Sequence, residues 1–113
     1  MVRRTRLDGD ICPVARALDV IGDWWSLLIV RAALDGDRRF SEFHRTLGVA
    51  KNILAARLRT LVDAGILKIV PAPSGGAHHE YVLTPRGEAL RTVIAALREW
   101  GEENAPAISG PRT

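Results

Sequence analysis

Apolar positions recur at helical spacing on both sides of a glycine near the middle of the chain. Phe43 and Leu47 lie four residues apart behind Ser41, a good N-cap side chain, and together they predict a short helix. Gly48 suits the left-handed residue that ends a helix, and residues 41–65 therefore predict two helices joined by a tight turn. The apolar stripe of the second helix is formed by Leu54, Leu58, Leu61 and Val62. Its opposite face carries Lys51, Asn52, Ala56, Arg59 and Asp63.

Two further helices are predicted before this pair. Pro13 suits the first turn of a helix that runs to about Val20 and ends at Gly22. Asp23 is a good N-cap for a helix over Trp24–Leu34, which is apolar around most of its circumference and is expected to be the central core helix. Because two adjacent tryptophans cannot share one helix face, we expect one in the core and the other against the first helix or a partner subunit.

A hairpin and a last helix are predicted after the pair. Residues 66–70 and 80–83 have strand patterns, and the loop between them has the Pro and Gly content of a turn. Thr84 and Pro85 then form a cap followed by proline, which is typical of a helix start. The apolar face of this last helix is formed by Leu90, Val93, Ile94, Leu97 and Trp100.

The element order α-α-α-α-β-β-α predicts an α+β fold that is mainly α, a winged helix-turn-helix. A short helix, a turn and a second helix with basic and amide groups in its first turn is the arrangement that enters the major groove of DNA. The predicted segments are a flexible arm (1–11), the domain (12–104) with its helix-turn-helix (41–65), wing (66–84) and C-terminal helix (85–101), and a tail (105–113).

Composition restricts the class of protein. At 113 residues, with 47% apolar and 26% charged residues, the chain is predicted to form one globular domain. Its apolar runs are too short for a membrane span, it begins without a secretory signal pattern, and its single cysteine excludes an internal disulfide. We therefore expect a cytoplasmic protein without a membrane partner. No catalytic motif indicates an enzyme, and no pattern indicates a cofactor.

Positive charge is concentrated on the helix pair. From residue 38 to 68 there are seven Lys or Arg and two acids, a net charge of +5, whereas the segments on either side each carry a net charge of −1. Concentrated positive charge is what phosphate binding requires. The distribution favours nucleic acid as the partner.

The predicted second helix of the pair supplies the candidate base contacts. Lys51 and Asn52 lie in its first turn, where Asn can bond to adenine, and the methyl groups of Ala55 and Ala56 can meet a thymine methyl. Arg59 follows one turn later on the same side.

Other basic residues leave two interpretations open. Arg57 could contact DNA or form a structural ion pair with an acid such as Glu42. Arg38, Arg39 and Ser41 are the candidate phosphate contacts at the start of the pair. Ala50 is a poor N-cap for the second helix.

The wing and the cysteine are also ambiguous. His78 and His79 could contact the minor groove, but neutral histidine is a weak phosphate ligand, which favours the alternative of solvated loop residues. Cys12 precedes Pro13 at a predicted helix N-terminus, where the helix dipole would favour the reactive thiolate; an inert buried cysteine is the alternative. Cys12, His44 and the two wing histidines lack metal-ligand spacing, and no metal site is predicted.

Several separate motifs in matching order resemble the HxlR-type family, small bacterial winged-helix regulators related to the MarR group. They are Cys12-Pro13, Asp23-Trp24-Trp25 followed by LLIVRAAL, Arg39 to Phe43, LAARLRTLVDAGIL, and Tyr81 to Gly87. The resemblance implies sequence-specific binding of a two-fold DNA operator by a homodimer. It also implies an interface of the N-terminal and C-terminal helices, formed by Val14, Ala17, Leu18, Leu90, Val93, Ile94, Leu97 and Trp100.

Some members of this family sense oxidants or electrophiles through a cysteine at the position of Cys12, so the resemblance raises redox sensing as a possible property. Two departures weaken the expected DNA contacts: Ala55 and Ala56 replace polar residues, and His78 and His79 stand where many family wings carry Arg. A small-molecule effector site near the paired tryptophans is compatible with a regulator. The alternative function is a winged-helix protein-interaction module that has lost specific DNA binding.

Overall fold

The structure is a computed structural model that describes residues 11–73, 78–105 and 107. Its elements confirm the predicted winged helix-turn-helix. In chain order they are α1 (Pro13–Ile21), α2 (Trp24–Leu34), α3 (Phe40–Leu47), α4 (Lys51–Asp63), β1 (Leu67–Pro71), β2 (His79–Leu83), α5 (Pro85–Glu88) and α6 (Arg91–Asn104). None of the helices within the described residues has the length and apolar character needed to cross a membrane.

The joint between α1 and α2 follows local sequence signals. Pro13 occupies the first turn of α1, and Gly22 is its C-cap. Asp23 is the N-cap of α2, as predicted: its carboxylate accepts hydrogen bonds from the backbone N–H groups of Trp25 and Ser26, at 3.1 and 3.0 Å. The Ser26 hydroxyl also donates to this carboxylate. One short side chain thereby satisfies two of the N–H donors that a helix start leaves open.

The start of α3 differs from the prediction. Ser41 does not cap this helix, because α3 begins at Phe40 and its N-cap is Arg39, two residues before Ser41. The Glu42 carboxylate supplies the cap instead, accepting from the backbone N–H groups of Arg38 and Arg39 at 2.8 and 3.0 Å. These two hydrogen bonds favour the charged carboxylate and lower the pKa of Glu42.

The turn between α3 and α4 is the predicted one. Gly48 has φ of 66°, in the left-handed region, and its N–H donates to the His44 carbonyl at 2.9 Å. Val49 then inserts its side chain into the core. Ala50 is the N-cap of α4 and makes no side-chain cap, which confirms that this helix starts without the reinforcement seen at α2.

The wing is an antiparallel hairpin anchored to the loop before α3. Leu67 pairs with Leu83 and Pro71 with His79, so β1 is shifted by one residue toward the C-terminus and β2 begins one residue earlier than predicted. The Tyr81 N–H turns away from β1 and donates to the Arg38 carbonyl at 2.7 Å. This bond places the base of the wing beside the entry to α3.

The predicted continuous C-terminal helix is divided in two. Thr84 caps α5 by accepting from the Gly87 N–H at 3.1 Å, and its hydroxyl donates to the carbonyls of Gly65 and Ile66. The helix is interrupted at Ala89 and resumes as α6. The hydroxyl bonds attach α5 to the end of α4 and the start of β1, which the apolar periodicity could not indicate.

The core surrounds α2, as its apolar circumference predicted. This helix contacts α3, α4, α6 and β2. The buried side chains include Ile29, Val30, Phe43, Leu54, Leu58, Leu61, Ile66, Leu67 and Ile94. The Phe43 ring lies edge-on to Tyr81, with centroids 6.4 Å apart, which joins the first helix of the pair to the wing.

Candidate nucleic-acid interface

The recognition helix α4 is divided into a buried and an exposed face. Its three leucines are fully buried against the core, while the side chains proposed to contact bases are all exposed. These exposed residues are Lys51, Asn52, Ala55, Ala56 and Arg59. A helix held by one apolar face can present the other as a rigid surface to a groove.

Sequence reasoning did not include Ile53 among the candidates. This side chain is 39% exposed in the first turn of α4, in contrast to the buried leucines of the same helix. The signal that could have found it is its place outside the stripe that begins at Leu54.

The predicted phosphate contacts Arg38 and Arg39 converge on one acid. Glu80 in β2 is largely buried, and its carboxylate oxygens lie 3.7 Å from Arg38 Nη1 and 3.8 Å from Arg39 Nε. The Arg38 side chain keeps 58% of its surface exposed, so its outer edge remains accessible. Ser41 is exposed beside them in α3. Glu80 therefore orients the two arginines, and this role of Glu80 was not evident from the sequence.

Arg57 is directed toward the protein, and the acid beside it is not the one expected. Its Nε lies 3.8 Å from the Asp23 carboxylate, whereas Glu42 is engaged at the start of α3. The same Nε is buried and has no hydrogen-bond partner among the described residues. This arrangement favours the structural interpretation of Arg57 over direct DNA contact.

The wing presents its histidines at the start of β2. His78 and His79 are both exposed. Residues 74–77 between the strands lie outside the described residues. The structure thus places the two candidate side chains on the surface of the hairpin.

Cys12 is exposed, so the buried position of the alternative is wrong. It is the N-cap of α1, where its carbonyl accepts from the Arg16 N–H at 3.1 Å. The Arg16 Nη1 atom donates to the carbonyl of Ile11 at 2.9 Å. The thiol is therefore accessible to solvent at the first turn of α1.

Within the described residues, no three side chains are grouped as a metal site would require.

The residues assigned to the dimer interface separate into two groups. Ala17 and four large apolar residues, Val14, Leu18, Leu97 and Trp100, are exposed on α1 and α6. Leu90 and Val93 are half-buried, and Ile94 belongs to the core of this chain. Ile94 is therefore the member of the set that supports α6 from within.

The paired tryptophans also diverge, as expected. Trp25 packs against the core, while Trp24 is 87% exposed at the start of α2. Two shallow grooves lie beside α1 and α6. The groove of about 290 Å³ includes Arg16, Ile21 and Leu90. The groove of about 270 Å³ includes Leu28 and Leu97. The effector site was expected near the paired tryptophans, but no tryptophan lines either groove.

Comparison with known proteins identifies the class of this architecture. The model of the HxlR-like helix-turn-helix family matches residues 20–109. Rv3095 of Mycobacterium tuberculosis, named as an HTH-type transcriptional regulator, is 42% identical over 106 residues. That alignment covers 94% of this chain and 66% of the relative, so the chain spans just under two thirds of the relative's length.

Solved structures share the fold over most of its length. The crystal structure of PA1607 aligns with a TM-score of 0.87 at 52% identity and covers 96% of this chain and 76% of that one. The redox regulator HypR in its reduced form aligns with a TM-score of 0.74 at 34% identity, covering 82% and 93% of the respective chains.

Proposed function

The chain belongs to the HxlR-like helix-turn-helix family, and from that premise we propose that it regulates transcription as a homodimer bound to a two-fold DNA operator. The exposed face of α4 enters the major groove and reads base edges. The family membership and the named relatives support a DNA-binding regulator in general. The operator, the dimer and the residue roles are the parts that this proposal adds.

The observation that carries the proposal is the surface formed by α4 and the loop before α3. Lys51 and Arg59 are exposed on the outer face of α4, and Arg38 and Ser41 are exposed at the entry to α3. Cationic side chains on a recognition helix and on the loop beside it can contact the phosphates that border the groove, while polar side chains of the first turn reach base edges. Basic side chains on both α4 and the loop before α3 suit an extended duplex better than a small anion.

The test is fluorescence anisotropy of the protein with a duplex from its own upstream region and with a scrambled duplex. We expect tighter binding to the upstream duplex and an affinity that falls with salt. The Lys51→Ala and Arg59→Ala changes together should reduce the salt slope by about two, since each removed phosphate contact lowers it by about one. Arg91→Ala, which removes one positive charge on α6 outside the proposed surface, is the control and should leave the slope unchanged.

Equal binding of both duplexes would contradict specific recognition. It would favour the alternative of a protein-interaction module, for which the uncapped start of α4 is the supporting feature. A salt slope that is unchanged in the double variant would separate DNA binding from α4.

We further propose that Cys12 controls this binding. Its exposed position at the first turn of α1 supports the proposal, as does the similarity to the redox regulator HypR. Treatment with diamide or a quinone should weaken binding of the upstream duplex by the wild type, and Cys12→Ser should remain unaffected. Indifference of the wild type to both reagents would assign Cys12 a structural role.

A further inference from the structure

The exposed face of α4 carries an apolar row in addition to its basic and amide side chains. Ile53, Ala56 and Thr60 are spaced at i, i+3 and i+7, so their side chains form one line along the helix. All three are exposed. The Thr60 hydroxyl donates to the Ala56 carbonyl at 3.0 Å, which uses its donor inside the helix. We name these three residues the apolar row.

Ile53 is the residue that makes this row unusual. Leu54, Leu58 and Leu61 are the other large aliphatic side chains of α4 besides Val62, and all three are fully buried, yet Ile53 keeps 39% of its surface in solvent. It also lies in the first turn, where a recognition helix comes nearest to base edges. An aliphatic side chain at this place gains free energy only when another apolar group covers it.

The major groove of DNA offers one apolar group, the C5-methyl of thymine. The geometry points to a readout of thymine methyl groups by the apolar row, with Asn52 on the adjacent line of the helix to pair with adenine N6 and N7. The short side chain of Ala56, one turn after Asn52, lets the helix backbone approach the groove. The preferred half-site therefore contains A·T pairs under the first two turns of α4. This inference rests on the proposed function, since it specifies the DNA that the same surface binds.

The charges around the row favour a duplex over an apolar protein surface. Lys51 precedes Ile53 in the same turn, and Arg59 lies beside Thr60. Both basic side chains are exposed. Cations elsewhere on the exposed surface of α4 suit the phosphates that border a groove, while the row faces the bases.

The experiment compares the upstream duplex containing thymine with the same duplex in which deoxyuridine replaces every thymine. Uracil keeps base pairing and the O4 acceptor and removes only the methyl group. We expect anisotropy titrations to show about fourfold weaker binding for each thymine methyl group that the row covers, the factor that corresponds to ~0.8 kcal/mol for a buried methyl group. The titration uses the full chain at one fixed salt concentration.

Two matched variants assign the effect to α4. Ile53→Gln should lower the thymine-to-uracil affinity ratio by about fourfold, the share of one thymine methyl group. Ile69→Gln removes an exposed isoleucine from β1 instead and should retain the ratio of the wild type.

Equal affinity of the wild type for both duplexes would overturn the methyl readout while leaving the regulator intact. A ratio in Ile53→Gln that equals that of the wild type would overturn the assignment to the apolar row. Absence of binding to either duplex would remove the proposed function together with this inference, and would point to a protein partner for the row.

Discussion

At Gly87 the backbone of α5 approaches the carbonyl of Ile66 so closely that a Cβ atom would overlap with that oxygen and press on Leu83. Gly101 in α6 is different, since a Cβ atom there would meet no other atom within 4 Å. The same residue type therefore has a packing role at one position and none at the other. The sequence does not show this difference, because the carbonyl that Gly87 approaches belongs to Ile66, 21 residues earlier in the chain.

Gly87→Ala should lower the free energy of unfolding by about 1–3 kcal/mol, the usual cost of overpacking. Gly101→Ala is the matched control and should raise it by about 0.5–1 kcal/mol, because alanine favours a helix interior. Urea denaturation of both variants measures the difference. A neutral effect of Gly87→Ala would contradict the close approach of α5 to β1.

The contribution of Glu42 to the stability of the protein depends on pH. Its pKa is lowered by the hydrogen bonds from the Arg38 and Arg39 N–H groups, so it contributes stability above its unfolded pKa of about 4.3 and loses it as pH falls through the lower folded value. Glu42→Gln should therefore destabilise the protein at pH 7 and much less near pH 3. Denaturation midpoints at the two pH values test this, and equal differences would contradict the capping role.

At the scale of elements, the orientation of α4 depends on a contact with the start of α2. Arg57 reaches from α4 to Asp23, the same carboxylate that caps α2. The Glu80 carboxylate similarly lies between the two arginines that precede α3. Asp23 and Glu80 thus orient the basic side chains that lie beside them. The basic side chains that point into solvent remain available to a partner.

Arg57→Ala and Arg59→Ala should separate these two roles. Loss of Arg57 should cost about 1 kcal/mol of stability, since its pair with Asp23 is partly exposed, and leave the salt slope of DNA binding unchanged. Loss of Arg59 should lower the slope by about one with little change in stability. Thermal denaturation and salt titrations of the two variants provide the comparison. A reduced slope in Arg57→Ala would restore Arg57 as a DNA contact.

At the scale of the whole molecule, a small domain leaves a large part of its apolar surface uncovered. Val14 and Leu18 on α1, and Leu97 and Trp100 on α6, are among the most exposed apolar side chains of the described residues. Exposed apolar groups on two helices favour burial against another chain. This surface supports the proposed homodimer, whose two copies would present two recognition helices to a two-fold operator.

Leu97→Glu should convert the proposed dimer into a folded monomer, because a charge would be buried in the interface. We expect sedimentation to show at least a tenfold weaker association, and operator affinity to fall with it. Ile69→Glu, which places the same charge on the exposed strand β1, should leave the dimer intact. A dimer that survives Leu97→Glu would place the interface away from α6.

The sequence by itself determined the order of the elements, the helix pair and the wing. Asp23 as a cap, Gly48 as a left-handed turn residue and the leucine stripe of α4 act within a few residues of chain, so local chemistry was sufficient. Tertiary structure decided which basic residues face inward, how α5 is joined to β1, and that Ile53 stays exposed. Those outcomes depend on groups distant in the chain, which only packing brings within hydrogen-bonding or van der Waals distance.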